Sequence, residues 1–406
     1  MILVPGGVTA PKGFLASGVK ALIKKSKRKD LALIYSEVPA VAAGAFTANV
    51  FKASPVKVSA KHIAHNTHQA VIVNSGNANC GNGKAGDRDA LSMARFAAET
   101  LALKKEAVLV ASTGIIGRYL PIEKIRKAVP ALIGALSEDG GASFAEAIMT
   151  TDTKKKEVAV KVKLGGAVVA IGGACKGVGM IYPDVKAAGH ATMLCFITTD
   201  AAISKKMLDA ALVEAVADSF NMISVDGDMS TNDTCFILAN GMAGNRKIGA
   251  RNKDYGAFLS ALKFVATELA KKMVKDGEGA TKFIEIKVAG AKSAGDAKKV
   301  ARKVSASTLL KCAIFGGDPN WGRVVAAAGA GGVRFDPDKL DVYLGGVKVL
   351  SNGTTVKGYD LKRAEALFKK GAIDIKVDLK SGKHEAIAWT CDLSHDYVDI
   401  NSEYST

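Results

Sequence analysis

Aromatic residues make up only 6% of this 406-residue chain. Proteins that hold single-stranded nucleic acid stack the bases on aromatic side chains, so this scarcity argues against that class. The charge alone points the other way, at a formal +17. Yet the lysines are spread along the whole chain, and the longest tight run is Lys24, Lys25, Lys27, Arg28 and Lys29. Charge spread in this way makes solvated faces rather than a phosphate-binding stripe, and no nucleic-acid partner is expected. Paired cysteines are missing as well. Cys80, Cys175, Cys195, Cys235, Cys312 and Cys391 form no C-x-x-C pair, and several sit in apolar runs as buried free thiols do. That suits a reducing compartment. The N-terminus lacks a basic segment followed by an apolar core, so no signal peptide is expected. The longest apolar stretch, residues 164–175, is 12 residues with four glycines, too short to span a bilayer. A cytoplasmic protein without a membrane partner is expected. There is no internal repeat and no low-complexity tract.

What is present is a normal globular balance, 48% hydrophobic and 23% charged. The length suits two to three domains or one large α/β body. Strand-like runs fall at 31–35, 70–73, 107–111, 157–164, 167–171, 192–198, 234–238, 282–288, 342–350, 373–377 and 385–391. Val158, Val160 and Val162 alternate with Ala159, Lys161 and Lys163, the period of a strand with one polar face. Helical periods fall at 87–103, 121–136, 204–220, 255–274 and 296–312. Pro121 suits a first helical position and Ser204 an N-cap. The interleaving implies α and β layers.

Several tempting motifs fail. His62, His65 and His68 are three apart and have no acidic or thiol neighbour, so no metal site is expected. The glycine-rich run at 76–86 has Ala78 and Ala85 where a P-loop needs Gly and Ser or Thr. The glycines at 329–332 are followed by Arg334 where a dinucleotide fingerprint needs Gly. Asp226-Gly-Asp228-Met-Ser230 begins like a calcium loop but lacks its glycine and its final glutamate.

Two regions carry more. At 107–117 an apolar strand runs into the small-residue turn Ser112-Thr113-Gly114. Such a turn exposes backbone N–H groups and a hydroxyl, the parts of an oxyanion hole; an ordinary strand-ending turn is the other reading. At Lys176-Gly-Val-Gly179 and then Gly189-His-Ala191-Thr192, small residues precede a threonine that opens an apolar strand. A chain cut just before a threonine makes its α-amino group the base that activates its hydroxyl. An amine with a reference pKa of about 7.7–8.0 is matched to that task. A β-branched residue simply opening a strand is the alternative.

At these residues the chain resembles the ornithine acetyltransferase family, the bifunctional glutamate N-acetyltransferases of arginine biosynthesis. The likeness runs end to end. It includes Gly6-Val-Thr-Ala-Pro-Lys-Gly13, Phe46-Thr-Ala-Asn49, Val73-Asn-Ser-Gly-Asn-Ala-Asn79, Ser112-Thr-Gly-Ile-Ile-Gly117 and Ile148-Met-Thr-Thr-Asp-Thr153. It continues through Lys176-Gly-Val-Gly-Met180, Ala191-Thr-Met-Leu194, Asp226-Gly-Asp-Met-Ser-Thr-Asn-Asp-Thr234, Gly317-Asp-Pro-Asn-Trp-Gly-Arg323 and Tyr397-Val-Asp-Ile-Asn401 to Thr406.

The resemblance implies an N-terminal-nucleophile-like α-β-β-α sandwich with a smaller C-terminal α/β lobe at about 281–390. It implies self-cleavage between Ala191 and Thr192, leaving an α chain of 1–191 and a β chain of 192–406 that assemble as an α2β2 heterotetramer. Thr192 would then carry the acetyl group of N-acetylornithine to glutamate in a ping-pong reaction. By position, Thr113 and Gly114 match the oxyanion hole. Thr153, Lys176, Thr192, Glu278, Asn401 and Thr406 match substrate-binding positions. No cofactor is implied. Family members divide over whether acetyl-CoA also serves as donor, and no short motif here decides. One departure stands out: residues 184–190 lengthen the segment before the cut, and His190 replaces the family's methionine. His190 is then a candidate proton acceptor in cleavage, or a loop residue facing solvent. A self-cleaving aminopeptidase of the same fold is the nearest competing enzyme, and a basic nucleic-acid-binding protein the competing class. Ornithine release that requires glutamate separates the first, and steeply salt-dependent binding the second.

Overall fold

The computed structural model describes residues 1–26, 28–183 and 193–403. Its strands are β1 (Ile2–Val4), β2 (Phe14–Val19), β3 (Leu31–Phe46), β4 (His68–Asn77), β5 (Val108–Ile115), β6 (Lys156–Leu164), β7 (Ala167–Lys176), β8 (Leu194–Thr199), β9 (Ile223–Ser224), β10 (Thr234–Ala239), β11 (Phe283–Ala291), β12 (Asp341–Leu344), β13 (Val347–Ser351), β14 (Thr354–Thr355), β15 (Ala372–Asp378) and β16 (His384–Cys391). Its helices are α1 (Ser54–His62), α2 (Gly83–Thr100), α3 (Ile122–Gly134), α4 (Gly141–Ile148), α5 (Lys205–Ala217), α6 (Lys253–Lys275), α7 (Ala294–Ser305), α8 (Thr308–Phe315), α9 (Trp321–Gly329), α10 (Leu361–Phe368) and α11 (His395–Glu403). No helix among the described residues is long and apolar enough to cross a membrane.

The first sheet runs in the order β1-β6-β7-β8-β10-β3-β4-β5, with β2 added on β3. β3 serves two partners in turn. Its first half pairs with β2 and β4, its second half with β10, and its pairing to β4 slips between Tyr35 and Ala40. Pro39 lies in that slip, where a residue without an N–H costs the ladder least. The two halves of the sheet face each other across an apolar layer. Val71 and Val73 of β4 meet Leu194 and Phe196 of β8 and Phe236 and Leu238 of β10 in one core. Alternate residues face outward, as the period of a strand requires. Ala70 and Ile72 pack against Met93 and Ala97 of α2 and Ile125 and Val129 of α3. Cys195, Ile197, Cys235 and Ile237 pack with Leu212 of α5 and Leu262, Val265 and Leu269 of α6. The stack therefore reads helix, sheet, sheet, helix, the α-β-β-α sandwich expected from the resemblance.

The second sheet runs β14-β13-β12-β15-β11-β16-β9. Ile284, Ile286 and Val288 of β11 bury against Ala297, Val300 and Val304 of α7, in a core continuous with α6. The short β9, which precedes β10 in the chain, closes its edge against β16.

Some local expectations need correction. The helical period at 296–312 is two helices, because the Ser307 hydroxyl accepts from the Leu310 amide and starts a new one. The run at 342–350 is a hairpin, turned at Gly345 and Gly346, both at positive φ. Pro121 is the N-cap of α3 rather than its first residue. Ser204 does cap α5, accepting from Met207 at 3.4 Å.

Candidate active site

Four chain segments end around one cavity of about 360 Å³. β5 brings Thr113 and Gly114, β7 brings Lys176, the turn after α6 brings Glu278, and α11 brings Tyr397 and Asn401. Met193, at the entry to β8, also lines it, as do Asp226, Asp228, Asn232 and Asp233 from the polar run before β10.

Glycines make these approaches feasible. Gly114 has φ +130° and pairs with Gly76 of β4, and a Cβ on it would lie 2.4 Å from the Gly76 carbonyl carbon. A Cβ on Gly179 would collide with the Glu278 carboxylate at 2.1 Å. Gly114→Ala is expected to destabilise the fold by about 1–3 kcal/mol, because its Cβ would meet the β4 backbone and its φ is one that side-chain-bearing residues rarely adopt. Denaturant unfolding of variant and wild type checks this.

Lys176 is buried, with Nζ 3.3 Å from the Thr113 hydroxyl. Burial lowers its pKa, and Lys156 adds to that, against the attraction of Asp152, Glu278 and Asp233. Beneath it lies an ion network. Lys156 Nζ is 2.6 Å from both Asp152 and Asp276, and Asp152 also accepts from the Gly177 amide at 2.9 Å. Burial alone would raise the Asp152 pKa, but Lys176 and Lys156 overcome it and hold the carboxyl down at about 2. The network fixes the turn on which Lys176 and Gly177 sit.

On the other wall, Glu278 accepts from the Asn401 amide group at 3.0 Å, and its backbone N–H donates to Val178 at 2.8 Å. Asp226 accepts the backbone N–H groups of Met180 and Ile181 at 2.5 and 2.8 Å. Burial raises the Tyr397 pKa, and Asp226 raises it further. Asn232 pins the Ser112-Thr113-Gly114 turn to the end of β4 by donating to the carbonyls of Ala78 at 2.6 Å and Ser112 at 2.8 Å. The result is one ammonium facing several carboxylates, inside a protein whose surface is strongly positive.

Of the residues named from the sequence, Thr113, Gly114, Lys176, Glu278 and Asn401 meet at this cavity. Thr153 does not line it; its hydroxyl and N–H both donate to Asp276. Ala191, Thr192, His190 and Thr406 lie outside the described residues. Sequence reasoning does not single out Asp226, Asn232 and Tyr397 as site residues, although two of them stand in a polar run between apolar strands. Two of the three clustered histidines are structural: His62 Nδ1 is 2.8 Å from the Val108 carbonyl and His68 Nε2 is 2.9 Å from that of His62.

A layered α/β sandwich with a buried ammonium, opposed carboxylates and a strained glycine turn around one cavity defines an enzyme for small, doubly charged substrates. The chain belongs to the ArgJ family, whose model matches residues 15–406. It is 49% identical to the arginine biosynthesis bifunctional protein ArgJ of Symbiobacterium thermophilum, over 99% of each chain. It is 46% identical to the glutamate N-acetyltransferase of Methanocaldococcus jannaschii over the full length of both. Among solved structures, the ornithine acetyltransferase of Mycobacterium tuberculosis complexed with ornithine is 38% identical, with a TM-score of 0.42 over 45% of this chain and 98% of that one.

Proposed function

We propose that this enzyme moves the acetyl group of N-acetylornithine to glutamate, releasing ornithine and N-acetylglutamate. The observation that carries the reading is convergence. Five residues assigned by resemblance meet at one cavity, and that cavity is also lined by Met193, the residue after the assigned nucleophile. On this reading the chain cuts itself between Ala191 and Thr192 into chains of 1–191 and 192–406, which work as an α2β2 assembly in the cytoplasm. Free thiols at all six cysteines suit that compartment.

The chemistry follows from the charges. The Thr192 hydroxyl attacks the acetyl carbonyl and its own α-amino group takes the proton; the acetyl C–N bond then breaks and the ornithine amine leaves with that proton. Thr113 and Gly114 stabilise the oxyanion. The Lys176 ammonium meets the substrate α-carboxylate, and Glu278, held by Asn401, meets an amino group. Thr406 is the further substrate contact assigned by resemblance, whereas Thr153, turned to Asp276, braces the ion network instead. Glutamate then accepts the acetyl group from the same ester. The test is to incubate the enzyme with N-acetylornithine alone and with glutamate. Ornithine in amounts beyond one per active site is expected only with glutamate; equal release without it would make the enzyme a hydrolase.

A further inference from the structure

A second cavity, of about 460 Å³, lies behind the oxyanion turn, and the chemistry above leaves it unused. It is lined by Lys24, Lys25, Arg28 and Arg118, with Glu403 the one carboxylate among its lining residues. No ion pair joins Lys25, Arg28 or Arg118 to a carboxylate among the described residues. Four lysines and arginines converge here on one concave surface.

The two cavities share a thin wall. Thr150 lines both, Gly114 lines the first, and its neighbour Ile115 lines the second. Gly76, paired with Gly114, also lines the second, and its missing side chain is what admits Lys24: a Cβ there would lie 2.8 Å from Lys24 Cγ. Lys24 Nζ is held by the carbonyls of Lys29 at 2.9 Å and Met149 at 2.6 Å, so the ammonium is positioned. Burial pulls its pKa down to about 8, and a bound anion would pull it back up.

We propose that this second cavity is a phosphate-binding site that serves a ligand reaching the acyl cavity past Thr150. Two arginines offer planar bidentate donors to phosphate oxygens, and the lysines offer point charges. The phosphates have two sources: the nucleotide handle of an acyl-thioester donor, or a free phosphate anion acting on the adjoining turn. The first source rests on the acetyl-transfer reading; the phosphate site does not. With a thioester donor, the acyl C–S bond breaks, an ester bond to the Thr192 oxygen forms, and the thiol leaves with the hydroxyl proton.

The test is calorimetric titration of the full-length enzyme with coenzyme A and with inorganic pyrophosphate. The comparison is the double variant Arg28→Ala/Arg118→Ala and the single variant Lys25→Ala. Saturable binding of either probe, weakened at least about ten-fold by the double variant and weakened by added salt, is the expected result. Coenzyme A binding much more tightly than pyrophosphate assigns the site to a thioester donor; equal affinities assign it to the free anion. No saturable binding of either probe, or binding that the substitutions leave unchanged, overturns the proposal. Transfer from N-acetylornithine to glutamate is unchanged in both variants. Its absence from the wild type would refute the acetyl-transfer reading while leaving the phosphate site standing.

Discussion

Thr192→Ala is expected, on the proposed reading, to give a single uncut species of 42.1 kDa and no acetyl transfer. Alanine has no hydroxyl to attack the Ala191 carbonyl, so the precursor stays whole. It also has none to take the acetyl group, so the ping-pong reaction loses its covalent intermediate. Removing the nucleophile of a covalent enzyme costs on the order of 10⁵–10⁶ in kcat. Intact mass and an ornithine-release assay read the two losses separately. Thr192→Ser, which keeps a hydroxyl, retains measurable cleavage and transfer. A Thr192→Ala enzyme that is still cut and active would end the Thr192 mechanism.

Asp152→Ala destabilises the fold by about 3–5 kcal/mol, the usual cost of breaking one side of a buried ion pair. The size follows from what is stranded. Lys156 and Asp152 are both buried, and Lys176 draws on the same carboxylate. Denaturant unfolding of variant and wild type measures the difference. The pH dependence has a definite sign. The native Asp152 carboxyl titrates at about 2 against an ordinary 3.8, so on acidification the unfolded chain takes the proton first. Its stabilisation, on the order of 2 kcal/mol, is complete above the ordinary value and drains away as the pH falls towards 2. Asp152→Asn loses that component of the acid dependence, so its stability changes less than that of the wild type between about pH 5 and pH 3.

Much of the architecture is legible because apolar periodicity decides it. The valines of β6 and the apolar runs of β4, β5, β8 and β10 announce strands, and their two-sided burial is what builds the layers. What fails is punctuation. A stripe of small apolar residues runs straight through Ala306-Ser307, and only a side-chain cap breaks it into two helices. α1, with Pro55 in its first turn and polar residues between its apolar ones, and the short α4 and α11 carry too weak a period to be seen.

The site divides in the same way. Thr113, Gly114, Lys176, Glu278 and Asn401 can be named because they stand in ordered motifs that resemble a family. Asp226 and Tyr397 gain their roles only from being brought together, since a carboxylate that receives two backbone N–H groups 45 or more residues away looks in sequence like any other. Thr153 shows the reverse: it stands in a matching motif, yet its hydroxyl is spent on Asp276.

The strand order has a consequence for the proposed cut. β8 and β10 follow it, yet they sit between β7 on one side and β3 on the other, both of which precede it. Breaking the backbone before Thr192 is therefore a nick in a woven sheet rather than a division into halves. The earlier chain grips the later one from both edges, and neither piece can be drawn away without unravelling two ladders of hydrogen bonds. β8, which opens two residues after the proposed cut, is held by β7 on one edge and β10 on the other, so on that reading one hydrolysed bond would cost the sheet neither ladder.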